Sequence, residues 1–174
     1  TSNTLMVGEL MALDAAATEQ LWRYLLGVDL MSNIQNRLGP ADHPLLLMVA
    51  EPRRLQLRVG DGLWVRIVDV PAALSARSYA ADGSLVFDVV DDFMPDAAGR
   101  WRLTTRDGKA DVQKTTDEPD IQLDVADLAV VYLGGFSFAS LARAGRTAEC
   151  VPGARERSDA MFASTASPWC PEIF

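Results

Sequence analysis

Asp61-Gly62-Leu63-Trp64-Val65-Arg66-Ile67-Val68-Asp69-Val70-Pro71-Ala72-Ala73-Leu74 is the stretch that decides how this chain is read. It passes from a turn through an alternating run into a helix. Gly60-Asp61-Gly62 carries the residue types of a tight turn. Leu63, Val65 and Ile67 then alternate with Trp64, Arg66 and Val68, the pattern of a half-buried strand. Upstream, Leu55, Leu57 and Val59 alternate with Arg54, Gln56 and Arg58, so the two runs predict a hairpin. At Asp69 the character changes. Residues 70–77 read as a helix with Pro71 in its first turn, where a missing N–H costs nothing.

Toward the N-terminus, residues 5–13 read as a strand, and Asp14 as the N-cap of a helix over residues 15–26. Leu21, Trp22, Leu25 and Leu26 would form its packed face, and Gly27 would end it as a C′ glycine. Residues 30–37 read as extended and residues 44–50 as a short helix stopped by Pro52. Beyond residue 77 a meander is expected. Leu85, Phe87 and Val89 mark one strand and Trp101 and Leu103 the next, with Asp107-Gly108 as a tight turn. Residues 111–114 return, and residues 121–125 are the last strand. Helices follow over residues 127–132, 140–144 and 152–162, with Ala154, Ala160, Met161 and Phe162 as packing residues of the third. Strands followed by helices make the fold class α+β. Asp91, Asp92 and Asp96 lack the periodicity of a calcium loop and read as a solvated turn.

Composition narrows the function classes. At 174 residues, 49% of them apolar, the chain can bury one large core or two small ones. A net charge of −8 disfavours nucleic acid and favours cationic partners such as amines; it equally serves solubility. No apolar run approaches the ~20 residues of a membrane span. The first residues have no secretory pattern, and the two cysteines match no zinc spacing, so a cytoplasmic setting is expected. One histidine, His43, gives no sign of a nucleophilic triad or transition-metal site. None of the twelve glycines has Arg or Gln three residues before it, so a pyrophosphate cradle is missing from the sequence.

The terminus, Trp169-Cys170-Pro171-Glu172-Ile173-Phe174, is apolar up to its carboxylate. Chain ends are usually polar. Two readings stand: a tail that closes a hydrophobic groove, or a buried terminal anion with a chemical task.

Four stretches taken together resemble one family. They are Leu21-Trp22-Arg23-Tyr24-Leu25-Leu26, the 61–74 block, residues 128–135 with Tyr132-Leu133-Gly134-Gly135, and the aromatic terminus. In order and spacing they are similar to the C-terminal half of Eis-like (enhanced intracellular survival) GNAT-type N-acetyltransferases. The resemblance implies the later half of a GNAT-like domain over residues 1–69. A sterol-carrier-protein-2-like domain would follow over residues 70–166, with residues 167–174 as a tail returning to the GNAT-like core. It implies acetyl-CoA bound by a domain not present in this chain, cationic amine substrates (aminoglycosides or lysine side chains) and a homo-oligomer, a hexamer in the family. It makes the Phe174 carboxylate the catalytic group for amine deprotonation, and places Asp61 and Glu172 as substrate-binding candidates. The chain alone would then be inactive. Asp61 is equally natural as a turn residue beside Gly62. Glu172 stands where an extended tail turns neighbouring side chains to opposite sides. A reading of another class is a lipid-binding or scaffold module, with Leu85, Phe87, Val89, Trp101, Leu128, Val131 and Phe136 lining an apolar tunnel or filling an ordinary core.

Overall fold

A computed structural model describes residues 3–172, which divide into two units, Thr1–Trp64 with Ala166–Phe174, and Val65–Thr165. In the first, β1 (Thr4–Val7) and β2 (Asn33–Asn36) pair in parallel, Thr4 opposite Asn33 and Val7 opposite Asn36. Parallel neighbours need a crossover, and α1 (Ala15–Leu26) supplies it. Asp14 caps α1: its Oδ1 accepts the Ala17 N–H at 2.7 Å. The buried face differs from the expected one. Thr18 and Trp22, one turn apart, face inward, whereas Leu21 and Leu26 are exposed. Gly27 ends the helix at φ −92°, outside the left-handed region, its N–H meeting the Arg23 carbonyl at 3.1 Å and the Tyr24 carbonyl at 3.0 Å. A short helix, α2 (Leu45–Met48), and a 3-10 turn over Pro52–Leu55 follow.

The hairpin expected around Asp61-Gly62 does not form. Residues 56–68 are irregular, and Gln56 sits at φ 49°, which breaks the run at its start. Leu57, Val59, Leu63 and Trp64 stay exposed. Two strands alone are marginal in water unless an apolar face packs on something; here only Val65 and Ile67, at the end of the run, reach the core of the second unit.

The second unit is built on a five-stranded sheet of order β5-β4-β3-β6-β7. After α3 (Val70–Ala76), capped by the Asp69 carboxylate on the Ala72 N–H at 2.9 Å, come β3 (Gly83–Val90), β4 (Gly99–Arg106) and β5 (Lys109–Lys114) as an antiparallel run. Asp107 and Gly108 join the last two with φ 50° and 75°, the paired left-handed residues of a type I′ turn. β6 (Ile121–Asp124) is not the next rung of a meander. It crosses to the other side of β3 and pairs with it in parallel, Phe87 opposite Ile121 and Val89 opposite Leu123. β7 (Thr147–Glu149), which the sequence pattern missed, closes that edge. The helices are α4 (Val125–Tyr132), α5 (Phe138–Arg143) and α6 (Ala154–Phe162).

One face of the sheet carries Leu85, Phe87, Val89, Leu103, Ile121 and Leu123 into the core. Phe87 stacks on Phe138 at 5.8 Å, and Phe162 meets Phe138 edge-on at 5.1 Å and Phe87 at 6.0 Å. Those rings occupy the space between sheet and helices. Leu85, Phe87, Leu128 and Val131 are fully buried among them, while Phe136 is exposed and lines nothing inside. Ala160 also faces solvent, whereas Ala154, Met161 and Phe162 pack inward. Asp91 is not a solvated turn residue. It is buried, accepts both the Phe93 and Met94 N–H groups at 3.0 and 2.9 Å, and takes the Arg66 guanidinium on both its oxygens. These donors hold its pKa below the ordinary carboxylate value, the Met94 N–H being the largest cause.

Arg77 draws the helix ends together. Its Nη1 donates to the Tyr132 carbonyl at the end of α4 (2.9 Å), and its Nη2 to the Phe162 carbonyl at the end of α6 (3.1 Å). Its Nε donates to the Ser78 carbonyl, just past α3, at 3.2 Å. The guanidinium lies over the Phe162 ring at 4.3 Å and the Tyr79 ring at 4.8 Å. A cation at helix carboxyl ends satisfies orphan carbonyls and opposes the macrodipoles. Burial pushes the Tyr79 hydroxyl pKa upward, so it stays a donor, to the Leu74 carbonyl at 2.7 Å.

Lysine has no planar fork and makes a poorer stack. Arg77→Met is expected to cost about 2 kcal/mol in the 174-residue chain, the worth of charge-assisted hydrogen bonds, and Arg77→Lys to recover less than half. Thermal unfolding of the three proteins checks this; full recovery by lysine would contradict the fork.

Candidate functional site

The tail and the 61–64 turn form the candidate site, both within the first unit. The Trp64 indole N–H donates to Asp61 Oδ2 at 3.2 Å, with the Trp64 ring 82% exposed. A methyl group placed on Gly62 would stand 4.0 Å from Cys170 Cβ, so the tail runs alongside the turn. The Cys170 thiol points at the Glu172 carbonyl, 3.7 Å away. Asp61 and Glu172 are both exposed, and neither joins an ion pair among the described residues. Two exposed carboxylates outside any ion pair among the described residues, one of them accepting the Trp64 indole N–H, and an open indole face suit a cation. Phe174, the expected catalytic residue, lies outside the described residues.

The tail is tied to the loop 38–43. The Ser167 N–H donates to Asp42 Oδ2 at 3.0 Å, and the Trp169 indole N–H donates to the Leu38 carbonyl. The Ser167 N–H is the largest cause of a lowered Asp42 pKa, opposed by desolvation. Neither Asp42 nor Trp169 was singled out from the sequence as a functional residue. The available signal was a tryptophan in a proline-broken tail, Ser167-Pro168-Trp169-Cys170-Pro171, where such a ring needs a surface.

His43 belongs to the same loop and is structural. Its Nδ1 accepts the Leu45 N–H at 3.0 Å at the start of α2, and its ring meets Trp22 edge-on at 5.5 Å. Nδ1 as acceptor makes this the neutral tautomer with its proton on Nε2. Burial lowers its pKa, and the Asp42 charge opposes that. Among the described residues no cluster of His, Cys, Asp and Glu is set to hold a metal ion, and Cys150 and Cys170 are free thiols.

Helix N-termini are the usual seats for phosphates. Here, apart from the four-residue α2, they already carry carboxylates. Asp14 caps α1, Asp69 caps α3 and Asp124 caps α4. Asp159 takes the Phe138 and Ala139 N–H groups at the start of α5, and Glu149 takes the Arg155 N–H at the start of α6. These capped N-termini therefore offer no free seat to the pyrophosphate of a coenzyme A thioester. In the second unit, a groove of about 460 Å³ opens beside Arg77, Tyr79, Tyr132 and Leu133. Its one cation is already spent on helix carbonyls.

Comparison with known proteins identifies the family. A family model for the sterol carrier protein domain matches residues 70–171, and one for the acetyltransferase (GNAT) domain matches residues 1–67. An uncharacterized N-acetyltransferase of Streptomyces avermitilis is 46% identical over 172 residues, covering 98% of this chain and 42% of the relative. The N-acetyltransferase Eis of Mycobacterium tuberculosis is 39% identical over 162 residues, covering 91% of this chain and 39% of that protein. The crystal structure of Eis1 from Mycobacterium abscessus superposes with a TM-score of 0.84 at 36% identity, over 100% of this chain and 44% of that one. The chain belongs to the sterol carrier protein domain family over residues 70–171, and along most of its length it is similar to N-acetyltransferases, Eis among them. It spans about two fifths of the length of the curated relatives it matches. GNAT acetyltransferases use acetyl-CoA as the acetyl donor. Among the described residues no helix is long and apolar enough to cross a membrane.

The pKa of His43 is depressed in the fold, so stability is full above its unfolded value near 6.5 and falls as pH drops through the folded value. As the sole histidine, its Hε1 resonance can be followed without ambiguity. Its NMR titration midpoint is expected below 6.5; a midpoint at or above 6.5 would contradict the burial argument.

Proposed function

We propose that this chain is the C-terminal portion of an acetyl-CoA-dependent N-acetyltransferase acting on amines, either aminoglycosides or lysine side chains. The observation that carries the proposal is the 46% identity to an N-acetyltransferase across 98% of the chain. Residues 1–69 would be the later half of a GNAT-like domain, residues 70–166 a sterol-carrier-like domain, and residues 167–174 a tail serving the first. Acetyl-CoA would be held by a domain outside this chain, because the helix N-termini here are taken up by carboxylates. The chain alone would be inactive. The intact enzyme would work in the cytoplasm as a homo-oligomer, a hexamer by analogy with the family.

In this reading the Phe174 carboxylate handles the substrate ammonium. A free α-carboxylate has a pKa of ~3.5 and is a weak base. Its contribution is to orient and desolvate the ammonium, with a water as the immediate proton acceptor. Asp61 and Glu172 add negative charge, and the −8 net charge draws cations toward the surface. The tail running beside Gly62 supports placing these groups around one amine.

In the full-length enzyme, deleting Phe174 is expected to lower turnover of an aminoglycoside or lysine peptide at least tenfold while leaving the KM for acetyl-CoA unchanged. Steady-state acetylation assays check it, and unaltered turnover would rule out a catalytic terminus. The same assay on the 174-residue chain should show no activity, and turnover there would contradict the divided site.

A further inference from the structure

We propose that Asp42 is the positioning residue of the chain terminus: its carboxylate receives the Ser167 amide, and together with the Leu38 carbonyl it fixes where the last residues leave the 38–43 loop. The inference rests on the reading that the terminal carboxylate handles the amine, and adds the device that aims it. Two donors from the tail reach two acceptors in one loop. The Ser167 N–H meets Asp42 Oδ2 at 3.0 Å, and the Trp169 indole N–H meets the Leu38 carbonyl. A hydrogen bond to an ionised acceptor is about twice as strong as a neutral one. Cys170 then passes Gly62, next to Asp61.

Both partners are stiff. Pro40 lies inside the loop and Pro44 follows it, the His43 N–H bonds the Pro40 carbonyl at 3.2 Å, and the His43 ring holds the Leu45 N–H at 3.0 Å. In the tail, Pro168 lies between the two anchoring residues and Pro171 follows Cys170. Proline fixes φ and reduces the entropy lost on ordering. Phe174, whose carboxylate is proposed to handle the amine, lies five residues beyond Trp169, within about 17 Å when extended. A terminus that must meet a substrate amine tolerates little drift, since a misplacement of ~1 Å can cost about a hundredfold in rate. The two anchors supply that register without touching the substrate themselves.

Asp42 is exposed, so its replacement should not disturb a core. Asp42→Ala removes the acceptor; Asp42→Asn keeps an oxygen for the Ser167 N–H and loses the charge. On the 174-residue chain, amide hydrogen exchange at Ser167 and the Trp169 indole resonance report docking without any activity. Exchange is expected to quicken at least fivefold in Asp42→Ala and much less in Asp42→Asn; unchanged exchange in Asp42→Ala would overturn the proposal. In the full-length enzyme, Asp42→Ala should lower kcat about tenfold with the KM for acetyl-CoA unmoved, and Asp42→Asn should restore most of it. A freed tail with undiminished kcat, in an enzyme that deletion of Phe174 inactivates, would overturn the positioning role alone. If deletion of Phe174 leaves turnover intact, the catalytic reading of the terminus falls and the positioning role with it.

Discussion

A single guanidinium holds the helical layer of the second unit in place. Helices α3, α4 and α6 all finish near Arg77, and a helix end exposes carbonyls that need donors. Arg77 donates at 2.9 Å and 3.1 Å to the last residues of α4 and α6, and its flat face lies on Phe162. Phe162 is also the ring that closes the core against Phe138 and Phe87. Polar end-capping and apolar packing are thus joined at one residue. The arrangement brings three aromatic side chains, Phe87, Phe138 and Phe162, into contact in the layer between sheet and helices.

The first unit is organised differently. It has a two-stranded parallel ladder, one regular helix, and a long irregular segment whose apolar residues remain exposed. What it does hold firmly is the tail. The 38–43 loop takes the Ser167 and Trp169 donors, and the Asp61 turn lies beside Cys170. Carboxylates cap α1, α3 and α4, while Asp61, Glu172 and the open Trp64 ring are exposed to solvent.

Much of the local structure was legible in the residues. Asp14, the helix that follows it and the Asp107-Gly108 turn are local, short-range devices, and they stand where the pattern put them. So do the inward positions of β3 and β4, because alternation marks a face whatever the partner strand is. Long-range choices were not legible. The parallel pairing of β6 with β3 and the three-residue β7 depend on partners far away in sequence. The alternation at residues 54–68 predicts a hairpin, yet a period of two marks a pattern and cannot supply a surface, and only Val65 and Ile67 of that run reach a core. Asp91 was read as solvated because nothing nearby in sequence announces Arg66 as its partner. At the candidate site, Asp61 and Glu172 came from family resemblance. Asp42 and Trp169 needed the structure, since each acts through a contact more than one hundred residues away in sequence.

The central claim is that the terminal carboxylate of this chain meets the substrate amine. It is tested most directly by labelling the Phe174 carboxylate with carbon-13 in the full-length enzyme and following its resonance as an amine substrate is added. The account predicts a saturable shift with the same midpoint as substrate binding. A resonance that stays at the position of a free, solvated carboxylate throughout the titration would contradict it.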